Sequence, residues 1–281
     1  MYRNDNKDSS MPDLPEPSPD RPPYIGIYAT PQGINAIGSP VKVRILDMLA
    51  RQDMAFDDLV EQSGRAKSTV SVHLKDLAEA GIVSAKPDPR DGRKKIFSLH
   101  SLFLAGADSR SQGWFDLDSY VKKEVPCEGD QAAMYRMFLS TIRLTLMNQG
   151  FSIDPILHLA GRKAGETLYH CIEHPTIEGM VDRITKLWEN NGLGSVELEQ
   201  RSPLTLKIRD CFECIDLPVS GKPACSFDSG ILSFLFSRYY EQQMRAIETH
   251  CYAMGSGYCR FEVRESGAHP GQSWLPGPVV R

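Results

Sequence analysis

Residues 246–263 read AIETHCYAMGSGYCRFEV. Alternation on either side of Gly255-Ser256-Gly257 predicts two strands, 243–251 and 257–264, folded about a Gly-rich turn. Such a hairpin returns Cys259 to the side of Cys251, with Glu248 one strand step away. Cys225, arriving from a separate element, completes four ligands. Three thiolates and one carboxylate suit a closed tetrahedral site, so Cys225, Glu248, Cys251 and Cys259 are the candidate ligands and Zn2+ the candidate ion. The plainer alternative stays open: Cys251 and Cys259 as small buried apolar side chains, and Glu248 as a solvated strand residue. His250 alternates onto the opposite strand face and is expected not to ligate.

Upstream of this hairpin the periodicity predicts helices at about 129–149, 154–173, 176–191 and 227–240, with strands near 195–200 and 203–211. Helices segregated from an antiparallel sheet make this half an α+β domain. Within it, Cys211-Phe-Glu-Cys214 brings two sulfurs into one turn. That spacing suits either a reversible disulfide, Cys211 with Cys214 as a redox pair, or half of a metal site. It is expected to lie outside the zinc shell, with Lys207 and Arg209 near enough to lower a thiolate pKa. Cys127 and Cys171 have no sequence partner and are expected to be structural. Phe227, Phe234, Phe236, Tyr239 and Tyr240 either line a small-molecule pocket or form a helix core.

The N-terminal half has a different signature. Helical periodicity starts after Ser39 with Val41, Ile45, Leu46 and Leu49. A second helix takes Phe56, Leu59 and Val60 inward and stops at Gly64. A third, from about Ala66 to Ala80, buries Val70, Leu74 and Leu77 and stops at Gly81. A hairpin follows around Asp88-Pro-Arg-Asp-Gly92. Three helices and a hairpin over 39–99 make a winged helix-turn-helix, whose third helix enters the major groove by its N-terminal turn. The candidate DNA contacts are Lys67, Ser68, Thr69, Ser71 and Lys75 on that helix, with Val72 exposed beside them. Arg90, Arg93, Lys94 and Lys95 are the candidates on the wing. The alternative is a packing module with a solvated, charged hairpin; His73 either faces DNA or is a partly buried histidine.

The chain has 281 residues, a net charge of −4 and seven cysteines. Length predicts about two domains. The charge argues against a protein coated in nucleic acid while permitting a local basic surface. No apolar run reaches the roughly 20 residues that span a bilayer, and no secretory signal is visible, so no membrane association and a cytoplasmic location are expected. An odd number of cysteines in a reducing compartment suits metal or redox chemistry. Residues 1–23 hold five acidic side chains and six prolines and read as a disordered tail. The expected division is thus tail 1–23, winged helix 24–100 with a short strand at 24–30, linker 101–125, second domain 126–265 and tail 266–281.

Residues 39–99, above all STVSVHLKDLAEAGIV (68–83), resemble the arsenic-repressor-type winged helix. Sensors of that group often place cysteines at the helix before the turn, whereas DDLVEQSG (57–64) has none. Sensing is therefore expected of the second domain. The run LKIRDCFECIDLPVSGKPACSFDSGILSFLFSRYYEQQMRAIETHCYAMGSGYCRFEV (206–263) resembles the 4-vinyl reductase domain, a ligand- or metal-binding α+β module that is usually dimeric. The likeness spans about 125–265. Aromatic-compound-sensing activators with this domain bind zinc through an upstream cysteine and Glu-x-x-Cys-x7-Cys, which implies Cys225, Glu248, Cys251 and Cys259 here. The order of domains resembles the methanogen-specific redox regulators, archaeal proteins in which thiol reduction switches DNA binding. Those carry a histidine shortly after Cys-x-x-Cys; this chain continues Ile-Asp-Leu-Pro.

Together these readings imply a homodimeric regulator of double-stranded DNA, controlled by cysteine redox state in a zinc-containing domain. A small-molecule effector, aromatic or hydrophobic, is the alternative. An enzyme is not expected, since no nucleotide loop, flavin fingerprint or nucleophile–base set is present; a zinc scaffold protein is the third class.

Overall fold

Helix α1 (Pro40–Leu49) starts with proline in its first turn, where the missing N–H costs nothing, and Val43 N–H closes on the Ser39 carbonyl at 2.9 Å. Helix α2 (Phe56–Ser63) ends on Gly64 at φ 65°, and the turn after α3 (Lys67–Glu79) passes through Gly81 at φ 69°. Both positions are left-handed, which explains why the periodicity breaks at glycine. Strands β4 (Val83–Pro87) and β5 (Lys95–Leu99) form the wing, with β3 (Met54–Ala55) on the outer side of β5. Ile45, Leu46, Leu59, Val70, Leu74, Leu77 and Ile82 fill the space between helices and wing. In this computed structural model residues 24–89, 91–112, 117 and 131–266 are described. Arg90, Cys127 and both expected tails fall outside them, apart from Ser266.

A second sheet flanks the winged helix. Strand β1 (Tyr24–Thr30), the expected short strand, hairpins onto β2 (Gly33–Ile37). On its other side it pairs with β6 (Leu102–Gln112), which lies in the tract expected to be a linker. That expectation is corrected for 102–112. The strand shows no clear alternation because its inner positions are small, and ladder bonds to β1 hold it instead. Two strand glycines also have a packing reason: a Cβ on Gly106 would meet the Tyr24 ring, and one on Gly26 the Tyr28 ring. Tyr28 in turn sits 5.1 Å from Phe103 and belongs to the winged-helix core.

The remaining elements build the α+β domain. They are α4 (Gln131–Asn148), β7 (Gln149–Ser152), α5 (Asp154–Ile172), α6 (Ile177–Asn190), β8 (Ser195–Arg201), β9 (Leu204–Arg209), α7 (Ser226–Tyr240), β10 (Met244–His250) and β11 (Cys259–Glu265). Strand β7 joins β6, so the sheet order β2-β1-β6-β7 ties the two halves by backbone hydrogen bonds. The other sheet is antiparallel, β10-β11-β9-β8, over a core that includes Trp188, Phe236 and Phe261. Helices α5 and α7 meet through glycines. A Cβ on Gly161 would lie 2.0 Å from the Phe227 carbonyl oxygen, and one on Gly230 would lie 2.1 Å from that of His158. This close approach fixes where α7 begins, and Cys225 stands at that start.

Candidate functional site

On α3 the buried stripe Val70, Leu74, Leu77 leaves Lys67, Ser68, Ser71, Val72 and Lys75 exposed, with Thr69 half-buried. The outward stripe follows the helical repeat and holds two hydroxyls, two ammonium groups and a methyl-bearing side chain. Lys67 pairs with Asp57 at 3.2 Å and Lys75 with Glu79 at 3.7 Å, all four exposed. Such pairs contribute little and release easily. On the wing Arg93, Lys94 and Lys95 are exposed, and the Arg93 guanidinium holds the Asp91 carboxyl below its usual range. His73 is half-buried, its Nδ1 without a hydrogen-bond partner among the described residues.

The second site is a cluster of sulfur. Cys225 stands at the N-cap of α7, Cys251 just beyond β10, and Cys259 opens β11. Cys211 and Cys214 lie in the turn after β9, closed by Ile215 N–H on the Cys211 carbonyl at 3.1 Å. All five thiols are buried. Cys214 Sγ is 3.2 Å from Cys259, Cys211 Sγ 3.5 Å from Cys225, and Cys225 Sγ 3.6 Å from Cys259 and 3.8 Å from Cys251. The Cys-x-x-Cys pair was expected to lie apart from the other cysteines, and this is corrected. Strands β9 and β11 are direct neighbours with Cys259 opposite Ile208, so the turn that follows β9 folds over the start of β11. Cys171, expected to be structural, is exposed on α5 with His170 Nε2 at 3.1 Å. His250 stacks on Tyr258 and takes no part in the cluster.

Glu248 reaches the cluster from β10. Its Oε2 accepts the backbone N–H of Ala224 and of Cys225, both at 2.9 Å. Its Oε1 is buried without a hydrogen-bond partner among the described residues, and burial pushes the carboxyl up to about 8. A desolvated, unpaired acceptor beside thiols is the environment a thiophilic cation satisfies. Cys225, Glu248, Cys251 and Cys259 bring their ligand atoms within 4.8 Å of one another, and so do Cys211, Cys214, Cys225 and Cys259. The donor set therefore fits a metal.

Three further residues belong here and gave no sequence signal. Glu213, inside the Cys-x-x-Cys turn, accepts N–H bonds from Phe227 and Asp228 at 3.0 Å each. Burial raises its carboxyl to about 7, against the pull of Arg143. Arg143 of α4 bridges Glu213 at 3.1 Å and Asp154, the first residue of α5, at 3.0 Å. Asp228, its carboxyl raised well above the usual range by burial and by Cys211, stands 3.5 Å from the Cys211 sulfur. Thiol donation from Cys214, Cys225 and Cys259 holds Cys211 well below an ordinary thiol, whereas burial raises Cys225. Lys207 and Arg209 play no such part: Lys207 lies over the Tyr258 ring and Arg209 pairs with Glu197.

Beside the cluster is a cavity of about 430 Å³, whose lining includes Tyr24, Asp108, Arg143, Phe151, Lys222 and Ala224. Of the aromatic residues considered for a pocket, Phe236 is buried and Phe227 and Tyr239 pack on the core. Phe234 lines a separate cleft with Arg162, Arg238 and Arg245.

The chain is 35% identical over 81 residues to an uncharacterised protein of Methanocaldococcus jannaschii, covering 29% of this chain and 50% of that one. It thus spans about half of that relative's length. It is 35% identical over 69 residues to the transcriptional repressor SdpR of Bacillus subtilis, covering 25% of this chain and 73% of the repressor. A crystal structure of a vinyl-4-reductase family protein from Methanocaldococcus jannaschii aligns with 53% of this chain and 91% of its own, at 18% identity and a TM-score of 0.35. A winged helix with an exposed third helix, here joined to an α+β domain, is the form of a DNA-reading module. Residues 39–85 match the family described as bacterial regulatory protein, arsR family, and residues 204–265 match the 4-vinyl reductase domain. The chain belongs to the arsR family and carries a 4-vinyl reductase domain, as both resemblances implied. No helix among the described residues is long and apolar enough to cross a membrane.

Proposed function

We propose that this regulator's affinity for double-stranded DNA is set by the chemical state of the cysteine cluster in its second domain. The observation that carries this reading is a chain of contacts from sulfur to DNA-binding domain. Glu213, between Cys211 and Cys214, is held by Arg143, and Arg143 also holds Asp154 just past the end of β7. Strand β7 is bonded to β6, β6 to β1, and Tyr28 of β1 is part of the winged-helix core. A change at the cluster therefore has packed, hydrogen-bonded elements through which to tilt the reading head. A bias of about 1.4 kcal/mol between two orientations is enough for a tenfold change in occupancy.

In this reading Ser68, Thr69, Ser71 and Val72 face base edges, while Lys67, Lys75, Arg93, Lys94 and Lys95 neutralise phosphates. Zinc is the resident ion, held through Cys225, Glu248, Cys251 and Cys259, and it supplies cross-linking of β10, β11 and α7 rather than chemistry. The redox step is oxidation of two cluster thiols by hydrogen peroxide: two electrons and two protons pass to the peroxide, leaving one disulfide and two water molecules. Cys211 and Cys214, in one turn, are the pair whose oxidation leaves all four of these zinc ligands in place. Two chains acting on a two-fold operator would meet through α4, where Tyr135, Phe138, Leu139 and Ile142 form an exposed apolar face. Titration of DNA from the chain's own upstream region with reduced, oxidised and zinc-stripped protein tests the reading. Equal affinity in all three states would refute it.

A second reading has one observation in its favour. The cavity beside the cluster shares Arg143 and Asp154 with the proposed route and is also lined by β6 and β7. A small effector bound there would act on the same elements. Calorimetry of the reduced, zinc-loaded chain against candidate aromatic ligands separates the two.

A further inference from the structure

The ligands divide into two sets of four that share two members. Cys211, Cys214, Cys225 and Cys259 form one set, and Cys225, Glu248, Cys251 and Cys259 the other. A tetrahedral zinc ion with Zn–S bonds of about 2.3 Å has sulfur–sulfur edges of about 3.8 Å. The separations here, 3.2, 3.5, 3.6 and 3.8 Å, are edges of that size or slightly contracted. Two tetrahedra joined along one edge need six ligands, and the two on the shared edge must be able to bridge. Thiolate sulfur can bridge, and the two shared members, Cys225 and Cys259, are both cysteines 3.6 Å apart.

A single ion leaves part of this set unexplained. If it takes the all-cysteine set, Glu248 keeps a buried oxygen without a partner among the described residues, close to the Cys251 thiol. If it takes the set with Glu248, Cys211 and Cys214 remain as two buried thiols against it. One ion leaves two of the six donors buried and uncoordinated, whereas two ions bring all six into coordination at a formal charge of about −2.

We propose that the cluster is a dinuclear site for thiophilic divalent cations, holding two zinc ions bridged by Cys225 and Cys259. Cys211 and Cys214 complete one ion's shell, and Glu248 and Cys251 complete the other's. This rests on the cluster being a metal centre, but not on its controlling DNA binding. The assay is metal content of the full chain after saturation with zinc and removal of excess, with acid-labile sulfide measured in parallel. About two zinc ions per chain are expected in wild type, and about one in the Cys211→Ser, Cys214→Ser double variant. Because that variant could unfold, the wild type is also loaded with cadmium-113. Two resonances of differing sulfur content, split by coupling through shared thiolates, are expected. A wild-type ratio of one, or a single cadmium resonance, overturns the dinuclear site while leaving the mononuclear reading intact. A ratio of zero overturns both. Iron with stoichiometric sulfide overturns the zinc assignment and the proposal with it.

Discussion

Gly161→Ala sets two known effects of opposite sign against each other. In the interior of an exposed helix, replacing glycine by alanine stabilises by about 1 kcal/mol, because glycine loses more backbone freedom on folding. At Gly161 the new methyl would lie 2.0 Å from the Phe227 carbonyl oxygen, 2.9 Å from its carbon and 3.1 Å from Ile231 N. Ordinary contact begins at 3.4 Å, so α5 and α7 must part by about 1.4 Å at this point. The obstacle is backbone, which no rotamer change removes. Overpacking of this kind costs about 1–3 kcal/mol, enough to cancel or exceed the propensity gain. The displacement also falls two residues from Cys225, and metal shells tolerate only about 0.2 Å. The expected result is a melting temperature lowered by up to about 8 °C, from a net loss of up to about 2 kcal/mol. Faster zinc transfer to a chromophoric chelator should accompany it. Gly179→Ala is the control, since the nearest atoms to its methyl belong to the His174 side chain rather than to backbone, away from the α5–α7 contact. If Gly161→Ala melts at or above wild type and releases zinc at the same rate, the close helix contact is not what positions Cys225.

Other perturbations test the remaining links. Lys67→Ala and Arg93→Ala should weaken operator binding and each reduce the salt slope by about one, whereas Ser68→Ala should alter sequence preference with the slope unchanged, read by fluorescence anisotropy across salt. Arg143→Met strands the buried Glu213 and should destabilise the second domain by about 3–5 kcal/mol in chemical denaturation; it should also uncouple DNA affinity from oxidant, and a variant that stays fully oxidant-responsive would exclude the proposed route. Burial, then Arg162 and Arg245, lowers His158 from 6.5 to about 4, so the unfolded chain binds the proton first and the folded state loses stability as pH falls from 6.5 towards 4. His158→Gln should flatten that part of the melting-temperature profile, and an unchanged profile would place the acid sensitivity elsewhere. Phe138→Glu with Ile142→Glu should shift the chain to monomer in sedimentation velocity, and an unaltered sedimentation coefficient would remove α4 as the dimer face.

Local periodicity and punctuation made much of this architecture legible in the sequence. The winged helix follows from the apolar stripes of three short helices, from Gly64 and Gly81 at left-handed positions, and from a wing turn rich in Asp, Pro and Gly. The helix expected at 227–240 spans 226–240, and the strands expected near 195–200 and 203–211 span 195–201 and 204–209. The hairpin that pairs Glu248 and Cys259 with neighbouring strands was readable because alternation and turn chemistry act within a few residues. What the sequence could not decide are contacts between elements far apart in the chain. Strand β6 lacks a period of its own and exists because β1, more than 70 residues earlier, supplies its ladder. Arg143 looks like any helix arginine until Glu213, 70 residues away, is folded against it. The two cysteine motifs read as separate centres because each has a sensible spacing by itself. Only the pairing of β9 with β11, whose bonds run between residues about 50 apart, brings Cys211 and Cys214 to Cys225 and Cys259 and makes one cluster of them.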